Sequence, residues 1–397
     1  MRSARCVTHK QPETSERKNR YDNFMEKIEI LTTNDQVAEL AGLLARETSI
    51  AIDLEADSMH NYQEQVCLIQ VSTLTRTVLI DPLTVTDLSP LQPVLADPAI
   101  RKIFHAADYD LRSLKRDFDL EINGLFDTMI SAQLLGEERI GLADLLRKYF
   151  GVELDKKFQK ADWSQRPLPA EMVRYAAEDT RHLHRLVALF EERLKELGRM
   201  SWCNEEFALM EQVRFAENGG PLCLRFKGAG VLPRRELGVL EKLMQWREQE
   251  GRRLNRPVYK VIGNKSLLEL AQRMPTETGH LRGIDGLSPR LIERYGRSLL
   301  EAVRDGLNIP EAELPEIPRQ PRRAKDTGLE DRVKVLKKWR QKEAAKFALE
   351  PGVLINNTAL EALAMAKPRS AAELEEVVGL KNWQKQVLGE ALLGVLA

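Results

Sequence analysis

The spacing of apolar residues changes character several times along the chain. Val37, Leu40, Ala41 and Leu44 recur at helical intervals and predict a helix over 37–44. Residues 49–55 (SIAIDLE) form a short β-branched run, which predicts a buried strand. Residues 66–72 and 77–81 predict two more strands, with turn residues between them. A fourth is expected over 102–105, followed by an amphipathic helix carrying Leu111, Leu114 and Phe118. From 127 to 197 almost everything reads as helical. Strands first and helix-rich sequence after them predict one mixed sheet flanked by helices. The first 25 residues are polar and aperiodic, which predicts a disordered basic arm.

Gly219-Gly220-Pro221 and Lys227-Gly228-Ala229-Gly230 then punctuate the chain as a hinge. The all-helical sequence that follows repeats itself at a constant offset of 93. Trp246-Arg247 returns as Trp339-Arg340, Asn264 as Asn357, Leu267 as Leu360, Pro275 as Pro368, and Gly286-Leu287 as Gly379-Leu380. The period is too long for a solenoid unit, so a duplicated small helical domain is expected. The expected division is 26–205 for the sheet domain, 206–310 for the hinge and first copy, and 326–397 for the second copy. A Pro- and charge-rich linker is expected over 311–325.

Composition narrows the class. The chain has 397 residues, 43% of them hydrophobic and 30% charged, which is globular material for several cores. No run approaches the roughly 20 uncharged apolar residues of a membrane span. The start of the chain has no apolar stretch of the secretory kind, so a cytoplasmic location is expected. Cys6, Cys67, Cys203 and Cys223 form no CxxC pair and read as free thiols without a zinc site. Net charge is zero, but residues 26–200 hold 30 acids and 21 bases, and residues 201–397 hold 27 acids and 33 bases. An acidic block joined to a basic one suggests cation-dependent chemistry in the first and polyanion contact in the second.

The acids that carry chemistry lie in three places. Asp53 and Glu55 sit at i and i+2 of a predicted strand and so share a face. Paired carboxylates repel unless a cation such as Mg²⁺ or Mn²⁺ lies between them. His105-Ala106-Ala107-Asp108-Tyr109-Asp110 spans a strand-to-helix junction, where Asp108 or Asp110 is also a candidate helix cap. Asp127, before Thr128-Met129-Ile130, reads as another cap. Tyr175 and Asp179 are one helical turn apart, with alanines between them that leave room for close approach.

In that order, and with Cys67-Leu68-Ile69-Gln70, Leu79-Ile80-Asp81-Pro82, Phe126-Asp127-Thr128, Leu154-Asp155-Lys156 and Asp162-Trp163 around them, these motifs resemble the tyrosine-bearing branch of the DEDD 3′–5′ exonucleases. Within it they resemble the ribonuclease D family. The helical copies resemble the helicase-and-RNase-D C-terminal (HRDC) domain. The resemblance implies a ribonuclease H-like α/β sheet domain followed by two all-α HRDC bundles. It implies that Asp53, Glu55, Asp110 and Asp179 hold two divalent ions, with Asp53 facing both, Glu55 and Asp179 on the side of the attacking water, and Asp110 supporting the second ion. Tyr175, with an ordinary pKa near 10, would orient that water as a neutral phenol.

Further candidates are substrate contacts. His60, Tyr62, Gln70 and His105 are placed to meet the terminal nucleotide, although a lone strand histidine is more often a packed residue. Lys156, Arg247 and Arg253 are candidate phosphate partners, together with the basic stretch 319–346. Trp246 and Trp339 fit the helical apolar pattern and are expected in the cores. The family implies a monomeric 3′–5′ exoribonuclease that releases nucleoside 5′-monophosphates from the 3′ ends of tRNA precursors and other structured RNAs. A DNA exonuclease of the same superfamily, a catalytically silent nucleic-acid-binding protein and a helicase-associated factor are the alternatives. No ATP use is expected, because Gly263-Asn264-Lys265-Ser266 lacks the first glycine of a phosphate loop.

Overall fold

The computed structural model describes residues 28–215, 219–318 and 326–396. The arm expected over 1–25, Cys6, and residues 319–325 of the expected linker lie outside the described residues. The sheet unit runs β1 (Glu29–Leu31), α1 (Asn34–Leu44), β2 (Ser49–Ala56), β3 (Val66–Ser72), β4 (Thr77–Ile80), α2 (Gln92–Ala96), β5 (Arg101–Phe104), α3 (Asp108–Phe118) and β6 (Leu125–Asp127). It continues through α4 (Thr128–Leu135), α5 (Leu142–Phe150), α6 (Ala170–Arg181), α7 (Leu183–Glu196) and α8 (Met200–Met210).

The six strands lie in the order β1-β4-β3-β2-β5-β6. β3 is antiparallel to both neighbours and the other pairings are parallel, so the sheet is mixed as expected. β1 and β6 escaped the sequence reading because three residues are too few to show a period. Alternation on β2 and β3 divides the faces. Ile52, Leu54, Ile69 and Val71 point into the larger core. Asp53, Glu55, Leu68 and Gln70 take the other side, where Leu68 packs with Met172 and Ala176 of α6.

Two expectations change in this unit. Residues 151–169 form neither helix nor strand, although the surrounding sequence reads as helical. Pro167 and Pro169 cannot continue a helix, and Asp155 spends its side chain on the Lys157 N–H as a turn. The alanines after Tyr175 leave no open room. Ala176 and Ala177 are buried, and the space that they free brings α6 down onto the sheet.

The first helical copy contains α9 (Arg234–Leu254), α10 (Asn264–Arg273) and α11 (Pro289–Leu307). The second contains α12 (Leu329–Lys346), α13 (Pro351–Leu354), α14 (Asn357–Ala366), α15 (Ala371–Glu375) and α16 (Asn382–Leu396). The offset of 93 holds in three dimensions. α10 and α14 span equivalent residues, and α11 and α16 start at equivalent positions. The left-handed residues Asn255, Met274 and Gly286 reappear as Ala348, Lys367 and Gly379. Arg247 donates to the Ile262 carbonyl and to Asn264 Oδ1, and Arg340 donates to the Ile355 carbonyl. Arg247 therefore corrects the sequence reading: it is 5% exposed and ties two helices together, so it is not a phosphate-facing side chain. Trp246 packs edge-on against Tyr295, and Trp339 packs against the apolar core that contains its copy.

The copies attach to the sheet unit differently. The first has its own apolar core, whereas the second shares one with the sheet unit. Trp202 of α8 stacks on Trp383 of α16 at 4.5 Å, and Glu205 accepts from the Asn382 and Trp383 N–H groups. Gly136, at φ +80°, lies so close to the Ala348 carbonyl that a Cβ would meet it at 2.1 Å. α8 runs through the boundary expected at residue 205, and Phe207 packs on Phe126, so this helix belongs with the sheet. Cys67, Cys203 and Cys223 are buried and unbonded. Among the described residues, no helix is long and apolar enough to cross a membrane.

Candidate metal centre

β2 presents Asp53 and Glu55 on the face covered by α6, and α6 supplies Asp179. A hydrogen bond of 2.7 Å between Ser72 Oγ and Thr180 Oγ1 pins that helix to β3 beside the site. Asp53, Glu55 and Asp179 each offer a carboxylate oxygen, all within 4.8 Å of one another. Asp110, in the first turn of α3, is buried and close enough to raise the Glu55 carboxyl by its charge.

Burial, then mutual repulsion, sets the electrostatics. Burial pushes Asp53 up to about 7. Burial followed by the charge of Asp53 pushes Asp179 to about 8. Glu55, half-buried and facing Asp53, Asp179 and Asp110, rises to about 10 through desolvation and then their charges. Burial lifts Asp110 well above the carboxylate range. Such a cluster cannot carry four negative charges unaided at neutral pH. It holds protons, or it holds cations. The donors are all hard oxygens, which suits a divalent ion of the Mg²⁺ or Mn²⁺ kind.

Asp110 owes its place to Asp127. The Asp127 carboxylate accepts from Met129 and Ile130 N–H, capping α4 as expected, and also from Ala106 and Ala107 N–H. Those last two bonds hold the β5–α3 junction, where Ala106 is forced to φ +70°. No side chain caps α3. Asp108 pairs with Arg112 instead, and Asp110 turns inward, so the capping role considered for them is not observed.

A cleft of about 490 Å³ opens onto the acids. Tyr175 lines it, with its ring against Trp163 and edge-on to Phe158. Burial and the neighbouring acids push its hydroxyl above the ordinary range, so it is a neutral phenol. The opposite wall comes from the irregular segment 151–169 through Leu154, Asp155, Lys156 and Gln159. Arg166 anchors that segment, donating to both Asp81 carboxylate oxygens and to the Cys67 and Trp163 carbonyls.

The substrate candidates divide. His105 and Lys156 line the cleft. His105 is hydrogen-bonded through Nδ1 to Thr128 Oγ1, and burial holds its pKa below the usual value. Gln70 pairs across the ladder with Asp53, but it is fully buried and does not open to the cleft. Tyr62 is docked on the first helical copy, its hydroxyl committed to Glu248. His60 contacts the Lys160 carbonyl beside that docking site, outside the cleft lining. Arg253 is exposed and paired with Glu250 on its own helix. The sequence reading missed Asp144, Asp155 and Gln159 as cleft residues. Their positions follow from loop and helix placement, which leaves no periodic signal.

Comparison with known proteins gives the family. Residues 28–195 match the 3′–5′ exonuclease family model, and residues 236–303 and 330–396 each match the HRDC domain. Ribonuclease D of Granulibacter bethesdensis is 30% identical over 373 residues, covering 92% of each chain. The chain belongs to the ribonuclease D family. The crystal structure of Escherichia coli RNase D, described as an exoribonuclease involved in structured RNA processing, superposes with a TM-score of 0.72. That match is 26% identical and covers 93% of this chain and 98% of that one. The catalytic core of RRP6 from Trypanosoma brucei is 31% identical, with a TM-score of 0.62, over 71% of this chain and 80% of its own. As a ribonuclease D family member, the chain is a 3′–5′ exoribonuclease that uses divalent metal and acts on RNA.

Proposed function

We propose that this protein trims the 3′ ends of structured RNAs, tRNA precursors among them, one nucleoside 5′-monophosphate at a time. The observation that carries the reading is the convergence of Asp53, Glu55 and Asp179 within 4.8 Å, with Asp110 beside them and Tyr175 at the same cleft. In this reading Asp53, Glu55, Asp110 and Asp179 hold two divalent ions, Mg²⁺ or Mn²⁺. When bound, such a pair supplies Lewis-acid activation of water and neutralises charge on the phosphodiester.

The remaining work falls to side chains of the chain. Tyr175 keeps its proton and offers a hydroxyl that orients the attacking water. The packing of the buried Trp163 and the half-buried Phe158 around its ring fixes that direction. Lys156, on the cleft wall, is placed to meet a backbone phosphate. His105, kept neutral, offers polar contact without adding charge to the acids. The helical copies hold the RNA upstream of the cleft, with the exposed Lys337, Lys338 and Lys342 of α12 as one basic face. All four acids come from one chain, which supports action as a monomer.

The test uses the purified protein, 3′-extended tRNA and matched single-stranded DNA, with and without Mg²⁺. Stepwise shortening of the RNA from its 3′ end, only with metal, is the expected result. Preferential shortening of the DNA, or metal-independent cleavage, would overturn the reading.

A further inference from the structure

The β2–β3 connection, residues 57–65, follows directly from the strand that carries Asp53 and Glu55, yet its tip lies on the first helical copy. The loop is braced from within: buried Asp57 accepts from Asn61 Nδ2, Gln65 N–H and Gln65 Nε2. Its tip is held from outside. Tyr62 donates its hydroxyl to Glu248 (2.8 Å) and its N–H to Asn255 Oδ1 (3.2 Å). Asn255 Nδ2 donates to Asn61 Oδ1 (2.9 Å), and Lys260 donates to the Met59 carbonyl. The Arg252 guanidinium lies 5.7 Å from the centre of the Tyr62 ring. The approach is close enough to require glycine, since a Cβ on Gly251 would lie 2.9 Å from the Tyr62 ring and 3.1 Å from the Arg256 carbonyl.

The duplication provides an internal control. At the offset of 93, Glu248, Gly251, Arg252, Asn255 and Lys260 become Gln341, Ala344, Ala345, Ala348 and Val353. Every residue that grips the loop differs in the second copy. Residues that hold the copy together do not: Arg247 matches Arg340, Leu267 matches Leu360, and Gly286 matches Gly379. The grip is thus a specialisation of the first copy and not a property of its fold.

We propose that Tyr62 is a positioning residue, registering the first helical copy to the metal-site strand so that an RNA held along that copy meets the acids at a fixed distance and angle. This rests on the reading of the cleft as an exoribonuclease site and adds the device that joins it to the RNA-holding unit. The physical gain is effective concentration: two contacts on one RNA reinforce each other only while their spacing is fixed. A substrate too short to leave the cleft gains nothing from it.

The experiment compares a diribonucleotide with a hairpin RNA bearing a single-stranded 3′ tail, in wild type, Tyr62→Ala, Tyr62→Phe and Gly251→Ala. Gly251→Ala pushes the ring away but also presses on the Arg256 carbonyl and Val258 of its own copy, so its fold is checked by circular dichroism, and Tyr62→Ala carries the test if it is perturbed. Tyr62→Ala and Gly251→Ala should raise KM for the hairpin by about tenfold, with kcat and all diribonucleotide kinetics unchanged. Tyr62→Phe, which keeps the ring, should recover most of the hairpin affinity. Equal losses on both substrates, or no loss on the hairpin, would overturn the proposal. A wild-type protein inactive on both RNAs would overturn the site reading, and this proposal with it.

Discussion

Tyr175 and Asp179 stand one turn apart on α6 and line the same cleft, but only Asp179 brings an oxygen into the carboxylate cluster. The phenol is close enough to have its proton held by the charges of Asp179, Glu55 and Asp53. Tyr175→Phe should lower kcat by roughly 10²–10³-fold, the usual cost of losing one aligned hydrogen-bonding group. Calorimetric titration with Mn²⁺ should give the wild-type affinity. A wild-type rate in the variant would remove the phenol from the chemistry.

With the proposed metal site, the raised carboxyls should make stability depend on both pH and metal. Asp53 and Asp179 titrate near 7 and 8 in the fold, against about 4 in an unfolded chain. The folded state thus keeps protons that the unfolded state releases. The stabilising contribution is complete below about pH 4 and is lost as pH rises through 7 and 8. In chelator, scanning calorimetry should show the melting temperature falling between pH 5 and pH 9. Millimolar Mg²⁺ should abolish most of that fall, and Asp53→Asn should make it shallower without metal, because burial still raises Asp179 and Glu55. An equally steep decline in all three samples would contradict the assignment.

Asp127→Ala should be costly in two ways. It strips a cap from α4 and leaves the Ala106 and Ala107 N–H groups without their acceptor. Together these losses amount to about 3 kcal/mol or more, measurable by urea denaturation. Activity should fall further than stability requires, because the junction that orients Asp110 loosens. Full kcat at a temperature where the variant is folded would show that Asp110 is held by other means.

Trp383→Ala removes one half of the stack with Trp202 and a side chain that is 2% exposed. The expected cost is about 3–5 kcal/mol. Because Trp383 lies in the core shared with the sheet unit, the loss should appear in the transition of the nuclease unit itself, followed by near-ultraviolet circular dichroism. A change confined to a separate, lower transition would mean that the second copy unfolds alone.

Much of this was legible in the residues because the relevant signals are local. The DxE pair shares a face through the two-residue period of a strand, and the tyrosine and aspartate share one through the helical turn. The duplicated domain announced itself by a fixed offset. What was hidden is set by tertiary placement. Arg247 looks like its exposed neighbours Arg252 and Arg253 in sequence, and only the approach of the Ile262 turn buries it. Tyr62 follows β2 by a few residues, which suggests the cleft, but Asp57 turns the loop toward α9. Asp155 and Gln159 reach the cleft on a segment with no period at all, held in place by Arg166, the buried Trp163 and the Lys157–Glu171 pair.

The apolar core that the second helical copy shares with the sheet unit bears on any attempt to shorten the chain. A version ending before α12 would bare the flank formed by Trp202 and its neighbours, a wide greasy surface that water does not tolerate and other molecules find. Such a fragment should clump during expression instead of yielding a leaner enzyme, unless that flank is first rewritten with polar residues.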